Sequence, residues 1–148
     1  MVDQSFKGFT SEPRHIDVEK GQLKFFAHAT GETNPIYFDE AAARAAGHPA
    51  LPAPPTFAFS LALGAPPTKG NLLGDMGVDM HRILHGEQSF TYHRPIYAGE
   101  TITLITTTSD IYEKKGGALE FIVQDTKASN AAGELCIDMR VVTVVRNG

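Results

Sequence analysis

The sequence predicts an α+β fold, an antiparallel β-sheet wrapped around one central helix. Three observations carry this. The chain has 148 residues, the length of one domain with one core, and 42% of them are hydrophobic, enough to fill that core without disulfide or metal staples. Its character changes once, near residue 80: alanine, glycine and proline dominate before, and β-formers alternating with polar residues dominate after. The stretch Thr56 to Leu63 is apolar almost all round, so it has to be wrapped on several sides.

The elements follow in order. Asp17 is placed to cap a helix in which Leu23, Phe25, Phe26 and Ala29 recur at near-helical spacing, and Gly31 ends it. Asn34-Pro35 marks a turn, because proline pushes the residue before it out of the α region. Asp39 caps a second helix, Glu40 to Ala46, with Gly47 just past its end. Pro54-Pro55 opens the apolar helix, since a first-turn proline loses no helical hydrogen bond, and Gly64 with Pro66-Pro67 stops it. Strands follow at Ser89 to Arg94 and Thr101 to Ile111. Two more lie around Leu119, Phe121 and Val123, and from Leu135 to Val141 with apolar residues at alternate positions. Gly99, Gly116-Gly117 and Asn130 to Gly133 supply turns. Four consecutive strands at this spacing suggest an antiparallel meander, with the apolar helix covering one face. A helix wrapped by a curved antiparallel sheet is the hot-dog architecture, here expected as a single domain over residues 1–148.

Composition excludes several classes of function. Thirteen Lys and Arg against seventeen Asp and Glu give a net charge of −4, with no basic stripe for nucleic acid or an anionic membrane. One cysteine, Cys136, rules out a disulfide framework and a Cys-rich zinc site, and fits a reducing compartment. The first seven residues lack a basic region followed by an apolar run. The longest uncharged stretch, Ala45 to Thr68, holds six of the nine prolines, and its apolar part is far too short to span a membrane. The expectation is a cytoplasmic protein. No Gly-rich phosphate loop, dinucleotide fingerprint or nucleophile elbow is present, and none of the six histidines forms a helical pair with a nearby acid. No metal and no cofactor are expected.

The informative stretch runs from Phe25 to Tyr37. It closes a helix, turns on Asn34-Pro35 and projects Tyr37, so that Glu32 and Tyr37 can face one pocket; the plainer reading is an exposed Glu and a half-buried Tyr at a corner between two helices. The segment Gly31-Glu32-Thr33-Asn34-Pro35-Ile36-Tyr37 resembles the Gly-Asp-x-Asn-Pro-Ile-His signature of MaoC-like (R)-specific enoyl-thioester hydratases, which are hot-dog proteins. The whole chain is similar to their N-terminal-type, degenerate domain. The matching pieces are Gly21-Gln22-Leu23 through Phe26-Ala27, Ala53-Pro54-Pro55-Thr56-Phe57, Leu84-His85-Gly86-Glu87-Gln88, Tyr92-His93-Arg94-Pro95, Ala98-Gly99-Glu100 and Lys114-Lys115-Gly116-Gly117.

The resemblance implies a chemistry and shows where this chain departs from it. Catalytic members use an Asp–His pair to add water across an enoyl thioester, or to remove it from a (3R)-hydroxyacyl thioester. The need is a base and acid aimed at one water, and an N–H at the central helix start for the thioester oxygen. Here the Asp position holds Glu32, one methylene longer. The His position holds Tyr37, a phenol with an ordinary pKa of about 10, which is no base at neutral pH. The helix-start pair is Pro54-Pro55, and proline has no N–H. Losing an acid or base costs about 10²–10⁴ in rate, and losing an oxyanion donor roughly 10²–10³.

The resemblance therefore implies a weak hydratase when alone. The expected function is that of a subunit of an enoyl-CoA hydratase or (3R)-hydroxyacyl-thioester dehydratase, in a homodimer or a heterodimer with a competent hot-dog subunit. The expected substrate is an acyl-CoA or acyl-carrier thioester. Glu32 and Tyr37 occupy the catalytic positions; Asn34, Pro55, Thr56, Phe57, His85 and Arg94 are candidate substrate contacts. His85 and Glu87, two apart on a strand, are expected on one face, as a surrogate acid–base pair or a structural network. Arg94 suits a phosphate of coenzyme A or a surface ion pair. Phe57 suits an acyl tunnel or core packing. Two other readings stand beside the first: a non-catalytic acyl-thioester binding or regulatory module, and a hot-dog thioesterase resting on Glu32 alone.

Overall fold

The computed structural model describes residues 1–69 and 73–148. Five strands form one antiparallel sheet in the order β1-β3-β4-β5-β2, where β1 is Arg14–Asp17, β2 Ile83–Tyr92, β3 Thr101–Lys114, β4 Leu119–Ser129 and β5 Leu135–Arg146. Three α-helices precede β2: α1 Lys20–Ala29, α2 Glu40–Ala45 and α3 Phe57–Gly64. Helix α3 lies on the inner face of the sheet. There Phe57, Ala58 and Leu61 are buried in one core with Ile102, Leu104, Ile137 and Met139.

The meander holds for β3, β4 and β5 only. Strand β2 pairs with β5 rather than with β3, from Ile83 opposite Val145 to Tyr92 opposite Ile137. The reason is the segment between β2 and β3, which is pinned to other parts of the chain. Ala53 donates to the Ile96 carbonyl at 2.8 Å, Ala98 to Leu51 at 2.9 Å and Gly99 to Val18 at 2.8 Å. This path carries the chain across the end of the sheet. Three strand spacings, about 14 Å in all, are within easy reach of eight residues.

Asp17 is not a helix cap. It closes β1, a strand the periodicity does not show, and its carboxylate accepts from Thr101 Oγ1 at 2.6 Å. The residue preceding α1 is Glu19, whose side chain makes no capping bond. Asp39 does cap α2, accepting from the Ala42 N–H at 2.7 Å, and Gly47 follows with a positive φ of 91°. Helix α3 is enclosed on fewer sides than its composition demands. Leu63 is 72% exposed, and among the described residues the sheet ends at β2. A second small core joins Val2, Met76, Ile122 and Val145. Beside it the buried Glu120 carboxylate accepts from the Val2 N–H at 3.0 Å and from Asn147 Nδ2 at 2.6 Å, tying both ends of the chain to β4.

Candidate functional site

A cavity of about 400 Å³ opens beside the start of α3. Its wall includes Tyr37, His48, Pro55, Ala58, Tyr92 and Arg94. Tyr37 reaches it by local chemistry. The Asn34 side chain accepts from the Ile36 N–H at 3.2 Å, and Pro35 fixes φ at the start of a 3-10 turn, Pro35–Tyr37, that projects Ile36 and Tyr37 inward. Burial, reinforced by the negative charge of Glu32, holds the Tyr37 phenol above its ordinary range. The group is therefore a hydrogen-bond donor and not a base.

Glu32 does not join Tyr37 in the cavity wall. Gly31 turns the chain with a φ of 73°, and the Glu32 carboxylate folds back onto its own loop. Its Oε1 accepts from the Thr33 N–H at 2.8 Å and the Asn34 N–H at 2.9 Å. Two N–H donors on one oxygen tie the carboxylate to its own turn in the manner of an Asx motif.

At the helix start Pro54 and Pro55 supply no N–H and the Phe57 N–H bonds the Pro54 carbonyl at 3.0 Å, which leaves the Thr56 N–H as the first donor of the helix. Pro55 lines the cavity and its carbonyl accepts from Tyr92 Oη at 2.7 Å. Thr56 is exposed, and Phe57 is buried in the core with Phe26 edge-on at 5.4 Å, so neither lines this cavity. Arg94 lines it, but its guanidinium is ion-paired to Glu134 and lies 3.8 Å from Glu100.

His85 belongs elsewhere. Its ring packs edge-on to Phe59 at 5.1 Å in a second cavity further along α3. The expectation that His85 and Glu87 share a face is overturned by a β-bulge between them. His85 lies opposite Thr143 and Glu87 opposite Val142, and consecutive residues of a strand face opposite ways. The same geometry removes the surrogate acid–base pair.

His48, Tyr92 and His93 are polar cavity residues absent from the candidates read from the sequence, and His93 Nε2 lies 2.8 Å from Asp138 Oδ2; His48 is the one at the α2 corner. It follows Gly47 at the end of α2, and its Nδ1 lies 3.1 Å from Tyr97 Oη. The available signal was its place between a helix-ending glycine and Pro49, at the corner facing α3. Cys136 is buried, and burial raises its thiol pKa, which makes it a poor nucleophile.

The site thus offers a mostly apolar slot with two phenols, Tyr37 and Tyr92, two imidazoles, His48 and His93, and the Arg94 guanidinium in its wall, and no carboxylate among its lining residues. A family model for the FAS1-like dehydratase domain region matches residues 5–139. The chain belongs to that family. The UPF0336 protein of Streptomyces griseus is 36% identical over 148 residues, covering 98% of this chain and 95% of that one. The UPF0336 protein SCO4636 of Streptomyces coelicolor is 39% identical over 118 residues, 78% of this chain and 77% of that one.

Solved structures agree on the fold. The C-terminally truncated HadBC (3R-hydroxyacyl-ACP dehydratase) complex of Mycobacterium tuberculosis holds a chain 26% identical, with a TM-score of 0.79 over 94% of this chain and 96% of that one. The ChsH1-ChsH2 complex of the same organism holds one 29% identical, with a TM-score of 0.75 over 93% and 88%. A MaoC-like dehydratase at 22% identity gives 0.82 over 97% of this chain and 43% of its own, a likeness of fold. The α+β hot-dog fold and the MaoC-like resemblance are therefore those of this dehydratase-region protein. Among the described residues, no helix is long and apolar enough to cross a membrane.

Proposed function

We propose that this chain is a subunit of a (3R)-hydroxyacyl-thioester dehydratase, or of the corresponding enoyl-CoA hydratase, that needs a second, catalytically intact hot-dog subunit. The observation that carries this reading is the separation of the two positions: the Glu32 carboxylate turns back onto the Thr33 and Asn34 amides outside the cavity wall, while Tyr37 lines it. A dehydratase site lacking its base has to borrow one.

The surface supports a partner. Strand β2 ends the sheet with ten residues and no neighbour on its outer side among the described residues. Such an edge favours pairing with another chain. Leu63, Met80 and Leu84, all exposed, lie alongside it around the second cavity. The HadBC and ChsH1-ChsH2 neighbours are complexes of two named components, which suits a heterodimer; a homodimer is the alternative assembly. In either, this chain's slot holds part of an acyl thioester, carried by coenzyme A or a carrier protein, with Tyr37 donating to it.

The test is hydration of crotonyl-CoA by the purified chain, by a hot-dog partner with intact Asp and His, and by the reconstituted pair. The chain alone should turn over about 10²–10⁴-fold more slowly than the pair. Full turnover by the chain alone, abolished in Glu32→Ala, overturns the proposal. Acyl-CoA binding with no turnover in any pair favours the binding-module reading instead.

A further inference from the structure

A second cavity, of about 480 Å³, lies between α3 and the inner face of the sheet. Its wall is mostly apolar, with Phe59, Ala62 and Leu63 from α3 and Met139 and Val141 from β5. Set into that wall is Arg14, the first residue of β1, only 6% exposed. Its Nη1 donates to the Ala62 carbonyl at 3.0 Å. Its Nε is buried with no acceptor, and no carboxylate pairs with the guanidinium among the described residues.

A buried cation without a counter-charge is strongly unfavourable, and the negative end of α3, equivalent to roughly half an elementary charge, offsets only part of it. The desolvated setting holds the Arg14 guanidinium below its ordinary value. A second group repeats the pattern. Gln124 Nε2, from β4, lines the same cavity and is likewise buried without a partner. The neighbouring threonines do not share the deficit, since Thr106 Oγ1 and Thr126 Oγ1 bond each other at 2.8 Å. Two unsatisfied donors in one mostly apolar cavity call for an acceptor on an apolar body.

We propose that this cavity binds a carboxylate carried on an apolar chain, the carboxylate held by Arg14 and Gln124 and the chain lying against Phe59, Leu63 and Met139. Its volume falls in the range of about 300–1,000 Å³ that accommodates such a ligand. The exposed Leu63, Met80 and Leu84 give the chain an apolar mouth. Two sources supply this chemistry: a free fatty acid, or the far end of an acyl thioester that is itself a carboxylic acid. The proposal goes beyond the subunit reading and stands on Arg14 and its cavity alone.

The experiment is calorimetric titration of the full chain with octanoate and with octanamide, its neutral counterpart. We expect octanoate to bind at least about tenfold more tightly than octanamide, and Arg14→Met to erase that preference while leaving octanamide binding unchanged. Without ligand, Arg14→Met should melt at a higher temperature than the wild type, since it removes an uncompensated charge. Suberyl-CoA against octanoyl-CoA separates the sources: an Arg14-dependent preference for suberyl-CoA assigns the thioester tail, and equal binding assigns the free acid.

Equal affinity for octanoate and octanamide overturns the proposal, as does octanoate binding that survives Arg14→Met. A lower melting temperature in Arg14→Met with no octanoate binding reduces Arg14 to a cap on α3 and also overturns it. Should Arg14→Met not fold, the wild-type octanoate-to-octanamide ratio decides. None of these readouts involves turnover, so their failure is distinct from failure of the subunit reading.

Discussion

Gly86 is the extra residue of the bulge in β2, and Gly86→Ala tests how firmly that bulge is built. A Cβ there would lie 2.9 Å from Val144 Cγ2 and 3.0 Å from the Val142 carbonyl oxygen. The methyl of Val144 can turn aside. The Val142 oxygen belongs to the backbone of β5, a strand paired on both sides, and cannot. Overpacking of this kind costs about 1–3 kcal/mol, while the stiffer unfolded chain returns about 0.4–1 kcal/mol. The net destabilisation should be about 1–2 kcal/mol, or a fall in Tm of about 2–8 °C for a chain of this size. The assay is a thermal melt with a urea titration in parallel. We expect the urea midpoint to drop with the slope unchanged, as befits a native-state clash. Val144→Ala in the same background should recover only the side-chain part of the loss. A neutral or stabilising Gly86→Ala would refute the reasoning: the bulge would have slack, and the separation of His85 from Glu87 would not be locked by packing.

Other measurements probe the site and its frame. An alkaline ultraviolet titration, differenced against Tyr37→Phe, should place Tyr37 ionisation above the ordinary tyrosine value. Glu32→Gln should lower it, because the Glu32 charge is one of its two causes. A raised native pKa means the neutral phenol is favoured by folding, so its contribution to stability is complete below about pH 10 and is lost as the pH rises through the native value. Asp125 behaves in the opposite sense. The Arg140 guanidinium holds it below its usual range, so the pair stabilises at neutral pH and fades as acid protonates the native carboxylate. Half-exposed, the pair is worth about 0.2–1 kcal/mol, and Asp125→Asn should flatten the acid limb of the stability profile by that much. Glu120→Ala leaves the Val2 N–H and the Asn147 amide without their buried acceptor, and should lower unfolding free energy by about 3 kcal/mol in chemical denaturation.

What was legible in the sequence was local. Asp39, Gly47 and the apolar run of α3 act through neighbours in the chain, and they appear where the pattern puts them. The long strands β3 to β5 carry alternation over many residues. Strand β1 was not legible because four residues, Arg-His-Ile-Asp, are too few to show a period, and they exist as a strand only because Thr101 to Leu104 pair with them. The place of β2 was hidden for a related reason. Strand order depends on where residues 93–100 are anchored, and their partners, Val18 and Leu51 to Ala53, are distant in sequence. A bulge at Gly86 cannot be read from periodicity, yet it alone decides which way His85 and Glu87 face.

For the candidate site the division is the same. The proposed loss of chemistry rests on residue identity: Tyr37 is a phenol where the resemblance implies an imidazole, and Pro54-Pro55 lacks an N–H wherever it lies. What identity could not give was the direction of Glu32, which follows the turn at Gly31 back onto the Thr33 and Asn34 amides. Strand β2 now joins the separate conclusions. It contributes Tyr92 to the first cavity and His85 and Leu84 to the second, and among the described residues its outer edge has no paired strand. On the proposed subunit reading, a partner strand laid along that edge would adjoin both cavities at once. Ligand binding in either cavity and partner binding should then be thermodynamically linked, each changing the other's affinity by the same factor. Octanoate in the Arg14 cavity should therefore shift the partner's dissociation constant, and partner binding without any such shift would mean that the two surfaces are independent.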